Sequence, residues 1–287
     1  MSRNEGRFNA AEGIPTPEDE GSSAAAVSPP TQFNWAVPTE IVELPSKGRF
    51  YPEGHILHNT DTVELRYMTA KEEDILTDRT LLRKGLAVDR ALSSLLVDKS
   101  IKLEDLLVGD KNALLVAARR TGYGNEYTTK VTCPSCAEVT DFTFNLDELG
   151  HNDFEEALSD EEVELTERNT FKLTLPMSKV EVECRMLTGK EENLLAKKAL
   201  RKGKTKEQST ALTDTLSQMI LSVNGISDRL QINDFAYTMP ARDSRYLRKV
   251  AARVTPNMDM TTQFVCSACG AEAALEVPLT ADFFWPK

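Results

Sequence analysis

The stretch "TTKVTCPSCAEVTDF", residues 128–142, places Cys133 and Cys136 at metal-ligand spacing between two strand-like runs. A four-coordinate zinc ion needs two further ligands, so this pair alone cannot complete a site. The second pair, Cys266 and Cys269, occurs in the nearly matching frame "TTQFVCSACGAEAAL" further along the chain. The two frames therefore predict two similar β-hairpins, each with a CxxC motif at its tip.

These hairpins belong to a longer pattern that occurs twice in the same order. "TAKEEDILTDRTLLRKG" at 69–85 is matched by "TGKEENLLAKKALRKG" at 188–203, and the segments that lead into the two CxxC motifs are similar too. We interpret this pattern as a tandem duplication. Matching positions are 119 residues apart at Thr69 and 133 apart at Cys133, which predicts a net insertion of 14 residues in the second copy. We expect the insertion near 233–247.

The duplication predicts an α+β fold with two copies of a strand/helix unit. The first α+β repeat is expected at 39–146 and the second at 168–287, and each repeat gives one CxxC hairpin to a shared zinc ribbon. Pseudo-twofold pairing of the copies would bring together the four thiolates of a structural zinc site. The predicted metal ligands are Cys133, Cys136, Cys266 and Cys269.

Other chemistry for the cysteines is less consistent with the sequence. Redox CxxC motifs normally begin a helix, whereas strand-like residues stand on both sides of each pair here. Iron with four cysteine ligands stays open, because the spacing does not distinguish the metals. Gly270 suits the turn after Cys269, while Ala137 departs from that pattern in the first hairpin. Cys184 lies on a predicted strand and is expected to be a small buried side chain.

Composition and charge distribution limit the class of protein. The chain has 287 residues, a net charge of −11 and no apolar run long enough to span a membrane. Residues 1–38 are expected to be a flexible N-terminal arm without a secretory signal. Residues 147–167 hold ten carboxylates and no Lys or Arg, and we interpret them as an acidic linker or a solvated helix face. The remainder is nearly neutral, which disfavours nucleic-acid binding.

The sequence contains no motif that indicates catalysis. A Ser/His/Asp order, a phosphate-binding glycine loop and an H-E-x-x-H motif are all missing from it. His55 and His58 stand three residues apart in a turn-rich segment, but no further ligands accompany them, so we expect surface or hydrogen-bonded histidines. We therefore predict a protein that is not an enzyme.

A resemblance to a known family is carried by two segments of the first repeat. "VPTEIVELPSKGRFYPEGHILHNTDTVELRYMTAKEEDIL" and "VGDKNALLVAARRTGYGNEYTTKVTCPSC" resemble the T4-type baseplate proteins of contractile-tailed bacteriophages, over about residues 37–150. The resemblance implies a virion protein made in the host cytoplasm and located at the tail baseplate hub. It also implies a multi-subunit assembly whose partners are other hub, tail-tube or tape-measure proteins.

Two functions remain open at this point. The chain is either a structural subunit of the baseplate hub or an assembly chaperone for the hub or tape-measure protein, absent from the mature particle. The N-terminal arm with Phe33 and Trp35, and the loop "LPSKGRFYPEGH" at 44–55, are the expected contact segments, because aromatic residues and arginine anchor interfaces.

Overall fold

The computed structural model describes residues 36–159, 163–205, 210–279 and 281–284. The predicted arm at 1–38, with Phe33 and Trp35, lies outside the described residues except for its last three. Helices and strands are mixed along the rest of the chain, which confirms the α+β class. No helix in the described part is long and apolar enough to cross a membrane.

The first half of the described chain runs from one strand hairpin through helices to a second hairpin. Its elements are β1 (Thr39–Glu43), β2 (Thr62–Arg66), α1 (Ala70–Thr77), α2 (Arg79–Lys84), α3 (Ala87–Leu95), α4 (Val108–Tyr123), β3 (Glu126–Thr132) and β4 (Val139–Asn145), with 3₁₀ turns at Leu103–Asp105 and Leu146–Glu148.

The second half begins with three short elements and then follows a similar order. Its elements are β5 (Gly150–His151), α5 (Phe154–Leu158), β6 (Glu164–Leu165), β7 (Thr170–Thr174), β8 (Glu181–Arg185), α6 (Gly189–Thr205), α7 (Ala211–Met219), β9 (Ile220–Val223), α8 (Arg229–Thr238), α9 (Ala241–Val254), β10 (Met258–Asp259), β11 (Thr261–Val265) and β12 (Glu272–Glu276), with a 3₁₀ turn at Ala281–Phe284.

The strands form small antiparallel sheets. β1 pairs with β2, β3 with β4, β11 with β12, and the two-residue strands β5 and β10 pair with each other. The larger sheet has the order β6-β7-β8-β9. Buried and more exposed residues alternate along β2, β3 and β8, so one face of these strands packs on the core.

Two apolar clusters make up the interior. One contains the first-half strands and helices together with Phe264, Cys266, Phe283 and Phe284 from the end of the chain. The other is formed by β7, β8 and β9 and by the helices α7, α8 and α9. The second CxxC hairpin therefore packs on the core of the first half, so the interior is not divided at the predicted repeat boundary.

The acidic segment at 147–167 is folded where the structure describes it. β5 pairs with β10, and Phe154 and Ala157 of α5 are buried. Glu155 on the outer face forms ion pairs with Lys47 and Arg49. The apolar residues of α5 fill one face of the helix, while the carboxylates of the described part of the segment are exposed, which is why its composition alone resembled that of a linker.

The loop between β1 and β2 also differs from expectation. Phe50, Tyr51 and Leu57 are buried in the first-half cluster. Phe50 packs edge-on against Phe154, with ring centroids 5.5 Å apart. The expectation that the aromatic residues of this loop contact partner proteins is wrong, because they are core residues of this chain.

The second half is longer than the first at two places. α8 stands where the first half has only the 3₁₀ turn at Leu103–Asp105, and α6 is one long helix where the first half has α1 and α2. α8 overlaps the segment 233–247 in which we expected additional residues. α6 is 17 residues long, whereas α1 and α2 run from Ala70 to Lys84, so the second half is slightly longer at this position as well.

Candidate metal centre

Two β-hairpins bring the CxxC motifs to their tips. β3 and β4 pair from Glu126 with Asn145 to Thr132 with Val139, so the loop between them holds Cys133 and Cys136. β11 and β12 pair over five residue pairs, and their loop holds the other two cysteines. Each hairpin keeps its register up to the residue before its first cysteine, which fixes the position of the loop on the strands.

The two loops have the same backbone hydrogen bonds. The N–H of Cys133 donates to the carbonyl of Glu138 (2.8 Å), and the N–H of Ala137 donates to the carbonyl of Cys133 (2.9 Å). In the second loop Cys266 and Gly270 donate in the same way, at 2.9 Å each.

A left-handed residue closes each loop. The φ angle is 71° at Gly270 and 58° at Ala137. An L-residue in this conformation costs roughly 1–2 kcal/mol. The sequence departure at Ala137 thus strains the first loop without changing its shape.

The four cysteine sulfurs form one compact cluster. All four Sγ atoms lie within 4.8 Å of one another. The Sγ–Sγ distance is 3.8 Å between Cys133 and Cys269 and also 3.8 Å between Cys136 and Cys266. A tetrahedral zinc ion with Zn–S bonds of about 2.3 Å requires Sγ–Sγ separations of about 3.8 Å. The cluster therefore has the dimensions of a Cys₄ metal site.

The equal distances also describe a local twofold arrangement. Exchange of the two hairpins converts the pair Cys133/Cys269 into Cys266/Cys136, and the separation is unchanged. The thiols are free, since a disulfide needs an S–S distance of about 2.05 Å.

The cluster is buried on one side only. Cys133 and Cys266 are 1% and 2% exposed and belong to the first-half core, whereas Cys136 and Cys269 are exposed. The first cysteine of each loop thus faces the interior and the second faces solvent. A bound ion would tie the surface of the two loops to the core beneath them.

Backbone donors already favour charge at one sulfur. The N–H groups of Cys136 and Ser135 donate to the sulfur of Cys133 and lower its pKa to about 7. The pKa of Cys136 is instead raised to about 12: its backbone bond at Glu138 lowers the value, but the neighbouring sulfurs and burial raise it more. Adjacent thiols resist full ionisation without a cation, and a metal ion supplies the compensating positive charge.

An aromatic contact holds the hairpins together below the sulfurs. Phe142 on β4 meets Phe264 on β11 edge-on, with centroids 5.3 Å apart, and Phe142 packs in the same manner on Phe144. Edge-on aromatic pairs add about 0.5–1.5 kcal/mol to area burial. The sequence placed these residues on strands but contained no signal that Phe142 and Phe264 would meet.

A buried arginine fixes the base of the first hairpin. Arg119 on α4 is 2% exposed and donates from Nε to the carbonyl of Phe283, and from its terminal nitrogens to Gly124 and Glu126. Its guanidinium also lies over the Tyr127 ring, 5.9 Å from the centroid. Sequence reasoning missed Arg119, because its neighbours in "VAARRTGYG" do not distinguish a buried arginine from an exposed one.

The remaining candidate ligands lie away from the cluster. Cys184 is fully buried on β8 in the second-half core, where burial raises the pKa of its thiol. His55 stacks on Tyr51 with centroids 4.7 Å apart and accepts from the N–H of Leu57. Nδ1 of His58 lies 2.7 Å from the carbonyl of Tyr51. Both histidines therefore have local structural partners, as expected.

Comparison with known proteins gives a family match. Residues 37–168 match the model of a family described as T4 bacteriophage base plate protein, over a little under half of the chain. No curated protein and no solved structure matches the chain. The match covers the β1–β2 loop, α1 to α4 and the first CxxC hairpin, and it confirms the resemblance found in the sequence. Residues 37–168 of this chain are therefore similar to the T4 bacteriophage base plate protein family.

Proposed function

We propose that the protein is a structural component of a contractile tail baseplate hub, without catalytic activity and stabilised by one structural metal ion. The family match over residues 37–168 is the observation that carries the location at the baseplate. The proposed partners are other hub, tail-tube or tape-measure proteins. The chain would be made in the host cytoplasm and incorporated into the tail, in a multi-subunit assembly without nucleic acid.

The proposed metal is zinc, bound by Cys133, Cys136, Cys266 and Cys269. Sγ–Sγ distances of 3.8 Å match a tetrahedral thiolate site, and four protein ligands leave no open position for catalysis. Iron accepts the same ligands, so elemental analysis of the purified protein decides between the two metals.

We further propose that the two halves arose by tandem duplication, and two pairs of buried carboxylates support this. Glu72 accepts hydrogen bonds from the N–H and Oγ1 of the threonine three residues before it, at 3.0 and 2.6 Å, and pairs with Arg66 at 2.7 Å. Glu191 accepts from its preceding threonine at the same two distances and pairs with Arg185 at 3.3 Å. The same helix start thus occurs after β2 and after β8.

The second pair consists of Asp110 and Asp243, each the third residue of its helix and fully buried. Asp110 accepts from the N–H of Ser46 at 3.0 Å, and Asp243 accepts from the N–H of Met177 at 2.7 Å. Asp110 therefore holds the turn that follows β1, and Asp243 holds the turn that follows β7. Two independent anchors in the same order are difficult to explain without a common origin.

We base the proposed lack of catalysis on the hydrogen-bond partners of buried carboxylates whose pKa values are shifted. Burial raises the pKa of Asp110, whereas at Asp243 the backbone donors outweigh burial and lower it. Both carboxylates are occupied by hydrogen bonds that hold backbone turns. Groups engaged in this way stabilise the fold and are not available to transfer protons to a substrate.

Mass spectrometry of purified tails tests the location. A structural subunit will be present in washed mature particles at a constant ratio to the other baseplate proteins. An assembly chaperone will be found in assembly intermediates and will be absent from mature particles. The second result would replace the structural function with the chaperone function. The ten carboxylates of residues 147–167 would be consistent with a chaperone that shields a basic partner.

A further inference from the structure

One edge of β1 is open in the described part of the chain. β1 pairs with β2 from Thr39 to Glu43 and with no other described strand. The N–H of Leu44 donates to Asp61, so the even-numbered residues of β1 bond towards β2. The backbone groups of Thr39, Ile41 and Glu43 therefore point away from β2, and no backbone partner is recorded for them within the described residues.

This open edge borders a groove that has both polar and apolar lining residues. A cavity of about 410 Å³ runs beside Ile41, Val42 and Glu43. Its apolar lining comes from α4, from the segment after β4 and from β10: Ala113, Val116, Ala117, Leu146, Leu149 and Met258. Ile41 itself is 70% exposed. Unprotected edges that carry exposed apolar residues are sites of strand addition.

The second half shows what occupies the equivalent edge there. β7 and β8 pair as β1 and β2 do, with Leu173 opposite Val182 where the first half has Val42 opposite Val63. On its other edge β7 carries an additional strand, β6, which pairs through Leu165 with Phe171. The equivalent edge in the first half has no described strand. An extended segment is therefore the occupant that this geometry accepts.

The charges beside the groove indicate the chemistry of that segment. Glu64 lies directly opposite Ile41 in the register, and Glu43 follows two residues later on the same exposed face. Neither carboxylate forms an ion pair within the described residues, whereas Arg120 at the groove is paired with Glu40 and Asp147. A segment with alternating apolar and basic residues complements these groups.

We propose that the open edge of β1 binds an extended segment of another tail protein as an added strand. Its apolar side chains face the groove beside the buried Val42, and its Lys or Arg side chains lie on the opposite, exposed face, where their aliphatic stems cover Ile41 and one ammonium or guanidinium pairs with Glu43. The inference rests on the proposed function only for the source of the partner. A failure of strand addition leaves the baseplate location intact, since that is tested by the composition of the particles.

The test uses the full-length protein and two capped synthetic peptides, one of alternating Lys and Val and one of alternating Glu and Val. Amide hydrogen exchange measured by NMR reports on Ile41 and Glu43, and titration reports affinity. We expect the Lys peptide to bind and to slow exchange at both amides. Glu43→Lys should lower the affinity for the Lys peptide by about two- to five-fold, as expected for the loss of one cross-strand ion pair, and should raise the affinity for the Glu peptide.

Ile41→Pro removes one outward N–H without breaking a bond to β2, so the variant should fold and lose at least about ten-fold in affinity. Ile41→Thr is the matched control, because it retains the N–H and loses only apolar contact. Unchanged binding by the proline variant would overturn the proposal. So would an absence of binding at millimolar peptide, or slow exchange at both amides in the free protein, which would mean that this chain or a second copy already covers the edge.

Discussion

Replacement of Cys269 with alanine should abolish the stabilisation that zinc gives this protein while costing little otherwise. Cys269 is exposed, so removal of its sulfur opens no interior cavity. Its Sγ is nevertheless 3.8 Å from that of Cys133 within the four-sulfur cluster, and the variant leaves only three thiolates. The variant thus separates the role of Cys269 as a ligand from its role in packing.

The expected magnitude follows from binding linkage. With free zinc at about 100 times the dissociation constant, the native state gains about 2.7 kcal/mol. A chain of this size shifts its melting temperature by about 2–4 °C for each kcal/mol, so zinc should raise the melting temperature by roughly 5–11 °C. Calorimetry in zinc buffers and in chelator measures this increment. The Cys269→Ala variant should melt at one temperature in both.

Cys184→Ala is the matched control, because Cys184 is fully buried in the second-half core and lies outside the cluster. The substitution leaves a small cavity in the core, so this variant should have a lower melting temperature than the wild type in both buffers. It should retain the full increase in melting temperature that zinc gives. The reasoning is refuted if the wild-type melting temperature is insensitive to zinc. It is also refuted if Cys269→Ala retains the increment.

Three further predictions concern the body of the fold. The pKa of Glu72 is lowered to about 2, so the stability that its carboxylate gives the fold is complete above about pH 4.5 and is lost as the pH falls toward 2. Glu72→Gln should therefore lower the free energy of unfolding by about 2–3 kcal/mol at neutral pH and by little near pH 2. Denaturation measured across that pH range tests this. Gly109→Ala should destabilise strongly, because the added Cβ would lie 2.0 Å from the carbonyl oxygen of Pro256, whereas Gly150→Ala meets no atom within 4 Å and should change the melting temperature little. Lys111→Met should lower the free energy of unfolding by about 2 kcal/mol at neutral pH, since it leaves two carboxylates unpaired, and a loss below about 0.5 kcal/mol would contradict a stabilising role.

The sequence was sufficient for features that depend on local pattern. The CxxC spacing between strand-like runs predicted both hairpins, which the structure contains at the expected positions. The family resemblance was confirmed over residues 37–168. Each of these signals lies within a few neighbouring residues or in one unusual string, so it can be read without knowledge of the fold.

Composition misled where a few apolar residues decide the structure. The ten carboxylates between 147 and 167 resembled a linker, but Phe154 and Ala157 bury one face of α5. Likewise Phe50 and Tyr51 looked like interface anchors and are core residues. Burial depends on which neighbours the chain brings to a side chain, and composition contains no such information.

The residues of the candidate metal centre could be named from the sequence alone, because two CxxC motifs in matching frames leave few other arrangements. Only the tertiary structure decided that the four sulfurs meet, since this depends on contacts between segments more than a hundred residues apart. Phe142 against Phe264 brings the hairpins together, and the second hairpin joins the core of the first half. The open edge of β1 is likewise a tertiary property: strand propensity indicates that a strand forms, but only the sheet order shows which of its edges has no partner.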